Sequence, residues 1–242
     1  MTHDFSTFIG VDTGSGRRPF TYVALDVHRK LLAVGTGAAV DVLSFAAGQQ
    51  SALAAISPPD RPGSLKPGRA EEPPLPILRL GSPRQFQLDL TGEPRGEAAV
   101  QSPSWMAACL ELIGHLQATG YHAFPDEGCP RQWLEAPAQS GFHSWLGLEP
   151  LEAGTLEGRL QRQLVLADLD MDVPDAMEFF EEITRFKLLR GILPYQRVLS
   201  QVEINAYMAA NTAWLAVHEP ASVRQSGSSE SGLVFYPHKA AA

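Results

Sequence analysis

Apolar residues in the first sixty positions fall in short bursts with strand-like spacing. "TFIGVDTG", "FTYVALDVH" and "KLLAVGTG" are rich in β-branched and aromatic residues and are separated by "GSGRRP" and "HRK". This pattern predicts three strands in an antiparallel meander with tight turns. "AAVDVLSFAAGQQ" changes to a helical period with Gly48 as its stop, and "ALAAISPP" reads as a fourth strand ended by two prolines. In "SWMAACLELIGHLQATG" the apolar positions predict a helix capped by Ser104 and stopped by Gly120. "YHAFP" and "RQWLEAP" predict two further short strands. Three helices follow: "LEGRLQRQLVLADL", a segment from about Ala176 to Arg190 that stops at Gly191, and "VEINAYMAANTAWLAVH". "GLVFYP" reads as the closing strand.

Between 58 and 104 the pattern lapses. Ten of the 19 prolines fall there, with acids and bases in balance. The segment is expected to be a surface insertion or flap within one domain spanning 1–242. The order β-β-β-α-β, insertion, then α-β and helices predicts an α/β fold of the ribonuclease H-like kind. Its mixed sheet would have five to six strands, with helices on both faces.

Composition narrows the partners. The chain has 242 residues, 44% of them hydrophobic, enough for one sizeable core. A formal net charge of −8 argues against a broad basic surface for nucleic acid, while leaving room for a local cleft or a metal-bridged phosphate. Cys109 falls in a helical core pattern and Cys129 in the turn "EGCPR", so a reducing compartment is expected. The opening "MTHDFSTF" lacks the pattern of a signal peptide, and no apolar run has membrane-spanning length. The expectation is a cytoplasmic protein with no membrane partner.

The first candidate for chemistry is Asp12, at the mouth of the first strand in "FIGVDTGSG". It could ligate a divalent ion, cap a phosphate-cradling turn, or simply start a turn. Arg159 and Arg162 in "GRLQR" lie three apart on one helix face and could grip a phosphate bidentately. The stretch 168–182 holds seven acids and no bases, but a calcium loop fails because Val173 and Phe179 stand where glycine and glutamate are required. It reads instead as a helix start, with Asp175 as cap and Glu178 completing a capping box. Ser200 and Glu203 form a second capping box in "SQVE", and Ala206, Ala209, Ala210 and Ala213 form a small-residue stripe that lets the last helix pack closely. The histidines at 3, 28, 115, 122, 143, 218 and 238 show no metal-ligand spacing.

Seven stretches, "FIGVDTG", "AAISPPDRPG", "PSWM", "LEAPAQSGFHSWLG", "EGRLQRQL", "EINAYMAANTAW" and "GLVFYP", resemble in order the domain-of-unknown-function family 429, predicted ribonuclease H-like nucleases. The resemblance spans almost the whole chain. It implies phosphodiester hydrolysis with Mg²⁺ or Mn²⁺, with nucleic acid as partner. Asp12 and the arginines match the family pattern. Ser57 and Asn205 stand where typical members carry aspartate, and Glu135 is one residue off the usual glutamate. A one-residue slip on a strand turns a side chain to the opposite face. Three readings follow. In a nuclease, Asp12 and Glu135 would be catalytic, Glu203 would be an added metal ligand, and Arg159 and Arg162 would hold phosphate. A catalytically silent module would bind nucleic acid, a nucleotide or a protein in the same cleft. An actin-like phosphotransferase would use the "DTGSG" turn.

Overall fold

The computed structural model describes residues 4–14, 19–58, 104–228 and 232–239. The proline-rich insertion expected between 58 and 104, and residues 15–18 of the first turn, lie outside them. Eight strands among the described residues form one mixed sheet. They are β1 (Thr7–Asp12), β2 (Phe20–Leu25), β3 (Leu31–Gly37), β4 (Ala52–Ser57), β5 (His122–Ala123), β6 (Arg131–Glu135), β7 (Val223–Ser228) and β8 (Gly232–Pro237). Their order is β3-β2-β1-β4-β6-β8-β7, with β5 also paired to β6. The meander β1-β2-β3 is antiparallel; β4, β6 and β8 then extend the sheet in parallel from β1.

Strand alternation builds two cores. Phe8, Val23, Leu25, Leu53, Ala55 and Leu134 point to one face. There they meet Phe142 of α3 (Ala138–Leu146), Val165 and Leu166 of α4 (Leu156–Asp168), and α7 (Gln201–His218). Ile9, Val11, Ala24, Ala54, Ile56 and Trp133 point to the other face. They pack on Val42 and Ala46 of α1 (Ala39–Ala47) and on Leu112, Ile113 and Leu116 of α2 (Ser104–Ala118). The period-two switch between these two sets is what a sheet covered on both sides requires.

Helix α7 supplies much of the first core, and its residues 204 to 215 are buried without a break. It lies against β1 at Gly10, where a Cβ atom would overlap the backbone oxygen of Ala206 and the backbone nitrogen of Ala210. The alanine stripe and Gly10 are therefore two halves of one close contact.

The structure corrects the sequence reading in several places. The sheet has eight strands among the described residues, against the five to six expected. β7, "VRQSGS", is an edge strand paired only with β8, and it shows no apolar alternation because little of it is buried. Residues 138–146 form α3 directly after Pro137, where no helix was expected. Ser140, Gly141 and Ser144 break its apolar spacing, although Gly147 closes it in the left-handed conformation. The single helix expected over 176–190 is two short ones, α5 (Glu178–Glu181) and α6 (Arg185–Leu189), interrupted by Thr184, which is extended and caps α6. Asp175 Oδ1 accepts from Met177 N in a turn, and Glu178 pairs with Arg197 at 2.8 Å instead of completing a capping box.

Candidate site at the carboxyl ends of the parallel strands

Backbone register brings three of the predicted residues together. Asp12 ends β1 opposite Ser57, the end of β4, so the two side chains share a face. That face is covered by α7, and Asn205 from its first turns reaches Asp12. Asn205 Nδ2 donates to Asp12 Oδ2 at 2.7 Å, and Gly14 N donates to Asp12 Oδ1 at 2.7 Å. Ser57 Oγ accepts from Ala138 N at 3.1 Å, joining β4 to the start of α3.

The amide of Asn205 belongs to a longer chain of bonds. Its Oδ1 accepts from Gln139 Nε2 at 3.1 Å. Gln139 Oε1 in turn accepts from Arg162 Nε at 3.2 Å and from Nη2 at 2.7 Å. Arg162 Nη1 donates to Leu151 O at 2.6 Å and to Gly158 O at 3.0 Å. The direction of the chain is fixed at both ends: a guanidinium can only donate and an ionised carboxylate can only accept. Both amides must therefore present nitrogen toward Asp12 and oxygen toward Arg162. Asp12 and Arg162 are each only 3% exposed.

Glu135 enters from the other side. It pairs with Ile56, in the row of Val11, and follows Trp133 on the α2 face of the sheet. The slip noted in the sequence thus puts Glu135 and Asp12 on opposite faces of the sheet, at the ends of two strands that flank β4. Cys109 of α2 lies near both. Its Sγ is 3.0 Å from Thr13 Oγ1, and burial pushes its thiol up to about 12. The Thr13 bond opposes that rise, while the charges of Glu135 and Asp12 add to it.

Other predicted site residues are held elsewhere. The carboxylate of Glu203 accepts from Ser200 N at 2.8 Å and from Ser200 Oγ at 2.6 Å, while Glu203 N donates to Ser200 Oγ at 3.3 Å. This is the capping box read from "SQVE". Ser200→Ala is expected to cost about 1 kcal/mol by urea denaturation; an unchanged midpoint would show that the box does not hold α7. Arg159 is half-buried and stays out of the chain of bonds; its Nε has no hydrogen-bond partner among the described residues.

The donor set does not fit a two-ion centre. Mg²⁺ and Mn²⁺ need converging oxygen ligands. Here one carboxylate on the α7 face is met by an amide N–H and a hydroxyl already bonded to backbone. Among the described residues, Asp12, Glu135 and Glu203 do not form a group of ligand atoms mutually within 4.8 Å, whereas His122, Asp126 and Cys129 do. That second group escaped the sequence reading because its members follow the order H-x₃-D-x₂-C, which a turn brings together, and not a helical or paired-cysteine spacing. Gln139 also escaped: a neutral side chain on an unrecognised helix carries no charge or motif signal. No described helix is long and apolar enough to cross a membrane. No family model matches the chain, and no curated protein or solved structure matches it.

Proposed function

We propose that this chain is a ribonuclease H-like domain in which metal-dependent hydrolysis has given way to a non-catalytic binding role at the carboxyl ends of its parallel strands. The observation that carries this reading is the bond from Asn205 Nδ2 to Asp12 Oδ2. Each carboxylate oxygen accepts a hydrogen bond, Oδ2 from Asn205 and Oδ1 from Gly14, and those donors compete with a cation. Arg162, through Gln139, holds Asn205 in place, so it anchors the site and does not clamp a phosphate. The antiparallel meander followed by parallel strands, and the order of the motifs, support the fold assignment. Open α/β sheets place ligands at such strand ends. The Gly14 amide is bonded to Asp12, which weighs against a phosphate-cradling turn of the actin-like kind.

Two measurements test this. Single- and double-stranded DNA and RNA are expected to remain intact with the protein and either Mg²⁺ or Mn²⁺. Calorimetric titration with Mg²⁺ should show no stoichiometric binding, and the double variant S57D/N205D should gain saturable binding, because oxygen ligands replace a donor. Cleavage by the wild type that disappears in Asp12→Ala would instead support the nuclease reading. The shared influence of Asp12 and Glu135 on Cys109 favours that alternative, since it brings two acids to one end of the sheet.

A further inference from the structure

The turn between β5 and β6 carries chemistry that the strand-end site does not use. We propose that His122, Asp126 and Cys129 form a binding site for a zinc-class divalent ion, with one coordination position left for water or a small ligand. One ligand atom from each residue lies within 4.8 Å of the others, and His122 Nδ1 is 2.6 Å from Asp126 Oδ2. Tetrahedral Zn²⁺ with nitrogen, oxygen and sulfur donors needs ligand atoms about 3.3 to 3.8 Å apart. Shifts of about 1 Å in side chains on a surface turn reach that geometry.

Charge and donor type agree. A thiolate and a carboxylate balance a divalent ion, and neutral imidazole adds none; the thiol proton leaves as the metal binds. The mixed nitrogen, oxygen and sulfur set disfavours Mg²⁺ and Ca²⁺ and suits Zn²⁺ and Co²⁺.

The turn is built to hold this arrangement. Gly128 has φ +88°, and Cys129 N donates to Asp126 O at 3.4 Å; the turn keeps the thiol within 4.8 Å of the carboxylate, and the thiol's bond to Arg131 O at 3.1 Å is the one that a metal would replace. The fully buried Gln132 staples the same backbone. Its Oε1 accepts from Asp126 N at 2.8 Å, and its Nε2 donates to Asp126 O at 2.8 Å and to Cys129 O at 2.7 Å. A shallow, largely open depression of about 480 Å³ lies alongside, lined by Gln117, Tyr121, His122, Ala123, Pro125 and Asp126. Two of the three ligands face it, so a small donor molecule reaches the ion from there.

The test is Co²⁺ titration of the chelator-stripped full chain under reducing conditions. The expected result is one equivalent bound, with a thiolate-to-cobalt charge-transfer band and the visible bands of four-coordinate Co²⁺, all displaced by Zn²⁺. Cys129→Ser should abolish the charge-transfer band. Both Cys129→Ser and His122→Ala should weaken Co²⁺ binding by about 100-fold or more, the upper range seen when mere supporting residues of a metal site are lost. Cys109→Ser should keep band and affinity, since that thiol is buried against Thr13. Circular dichroism and melting in chelator should match the wild type for the 122 and 129 variants, separating lost ligands from lost fold. The proposal is overturned by absence of saturable Co²⁺ binding in the wild type, by a band that survives Cys129→Ser, or by a band lost only in Cys109→Ser. A plain surface His–Asp pair would give the first of these.

Discussion

Gly10→Ala is expected to destabilise the protein by about 4 kcal/mol or more, enough to remove most of the stability of a typical domain. The added methyl group would meet the backbone of α7 at Ala206 and Ala210, and backbone cannot rotate away. Either the helix lifts from β1 or the strand buckles. Both outcomes open the core around Phe8 and Met208 and pull Asn205 from Asp12. Gly114→Ala is the matched control. Gly114 is inside α2 with nothing within 4 Å of the new methyl, so that variant should gain roughly 0.5 to 1 kcal/mol from helix propensity. Denaturant midpoints of the two variants decide the matter. A Gly10→Ala protein within about 1 kcal/mol of wild type would mean that the close contact of β1 and α7 is wrong.

Arg162→Ala is expected to lower stability by about 3 to 5 kcal/mol. The guanidinium ties three segments together: Gln139 of α3, Leu151 in the following loop, and Gly158 in the first turn of its own helix α4. It also lies over the ring of Phe142, 5.6 Å from its centroid. Truncation leaves three acceptors without these donors, Gln139 Oε1 and Gly158 O in buried surroundings and Leu151 O partly open to water. Arg162→Lys should recover less than half of the loss, because an ammonium cannot fork onto Gln139 while also reaching Leu151 and Gly158. The variant also tests the polarity of the site. Without a donor-only anchor, Gln139 and Asn205 are free to rotate, and Asn205 no longer has to present its nitrogen to Asp12. Full stability in Arg162→Ala would remove the anchor role.

Much of this was legible in the sequence, for identifiable reasons. Strands β1 to β4 announce themselves through short β-branched and alanine-rich runs, buried on both faces in β1 and β4 and largely exposed in β3, with glycine or proline near their ends. Helix α7 announces itself through the "SQVE" box and the alanine stripe. Asp12, Ser57 and Asn205 could be singled out because each stands at the end of an element or at a motif position. Their convergence was implied by the family resemblance alone, since it depends on the register of β1 with β4 and on how α7 lies against β1. For Arg162 the sequence offered a phosphate clamp, but charge and spacing carry no information about depth; the bonds to Gln139 of α3 and to Leu151 in the 147–155 loop come from the fold. The metal-type group was hidden for the opposite reason. Its residues are close in sequence, but only the stapled turn between β5 and β6 aims them at one point.

The contact of Asp12 with Asn205 joins residues 193 positions apart. Closing a loop of that length costs on the order of 5 kcal/mol in chain entropy beyond a fixed term. Helix α7, which supplies much of the first core, follows β1 to β3 only after all the intervening helices and strands. The β1–β2–β3 meander can zip early from local pairings, but the face that α7 covers stays open until that helix has been made. Nascent chains therefore carry an exposed apolar sheet face in that interval. A chaperone that shields such surfaces would act on the meander until α7 arrives.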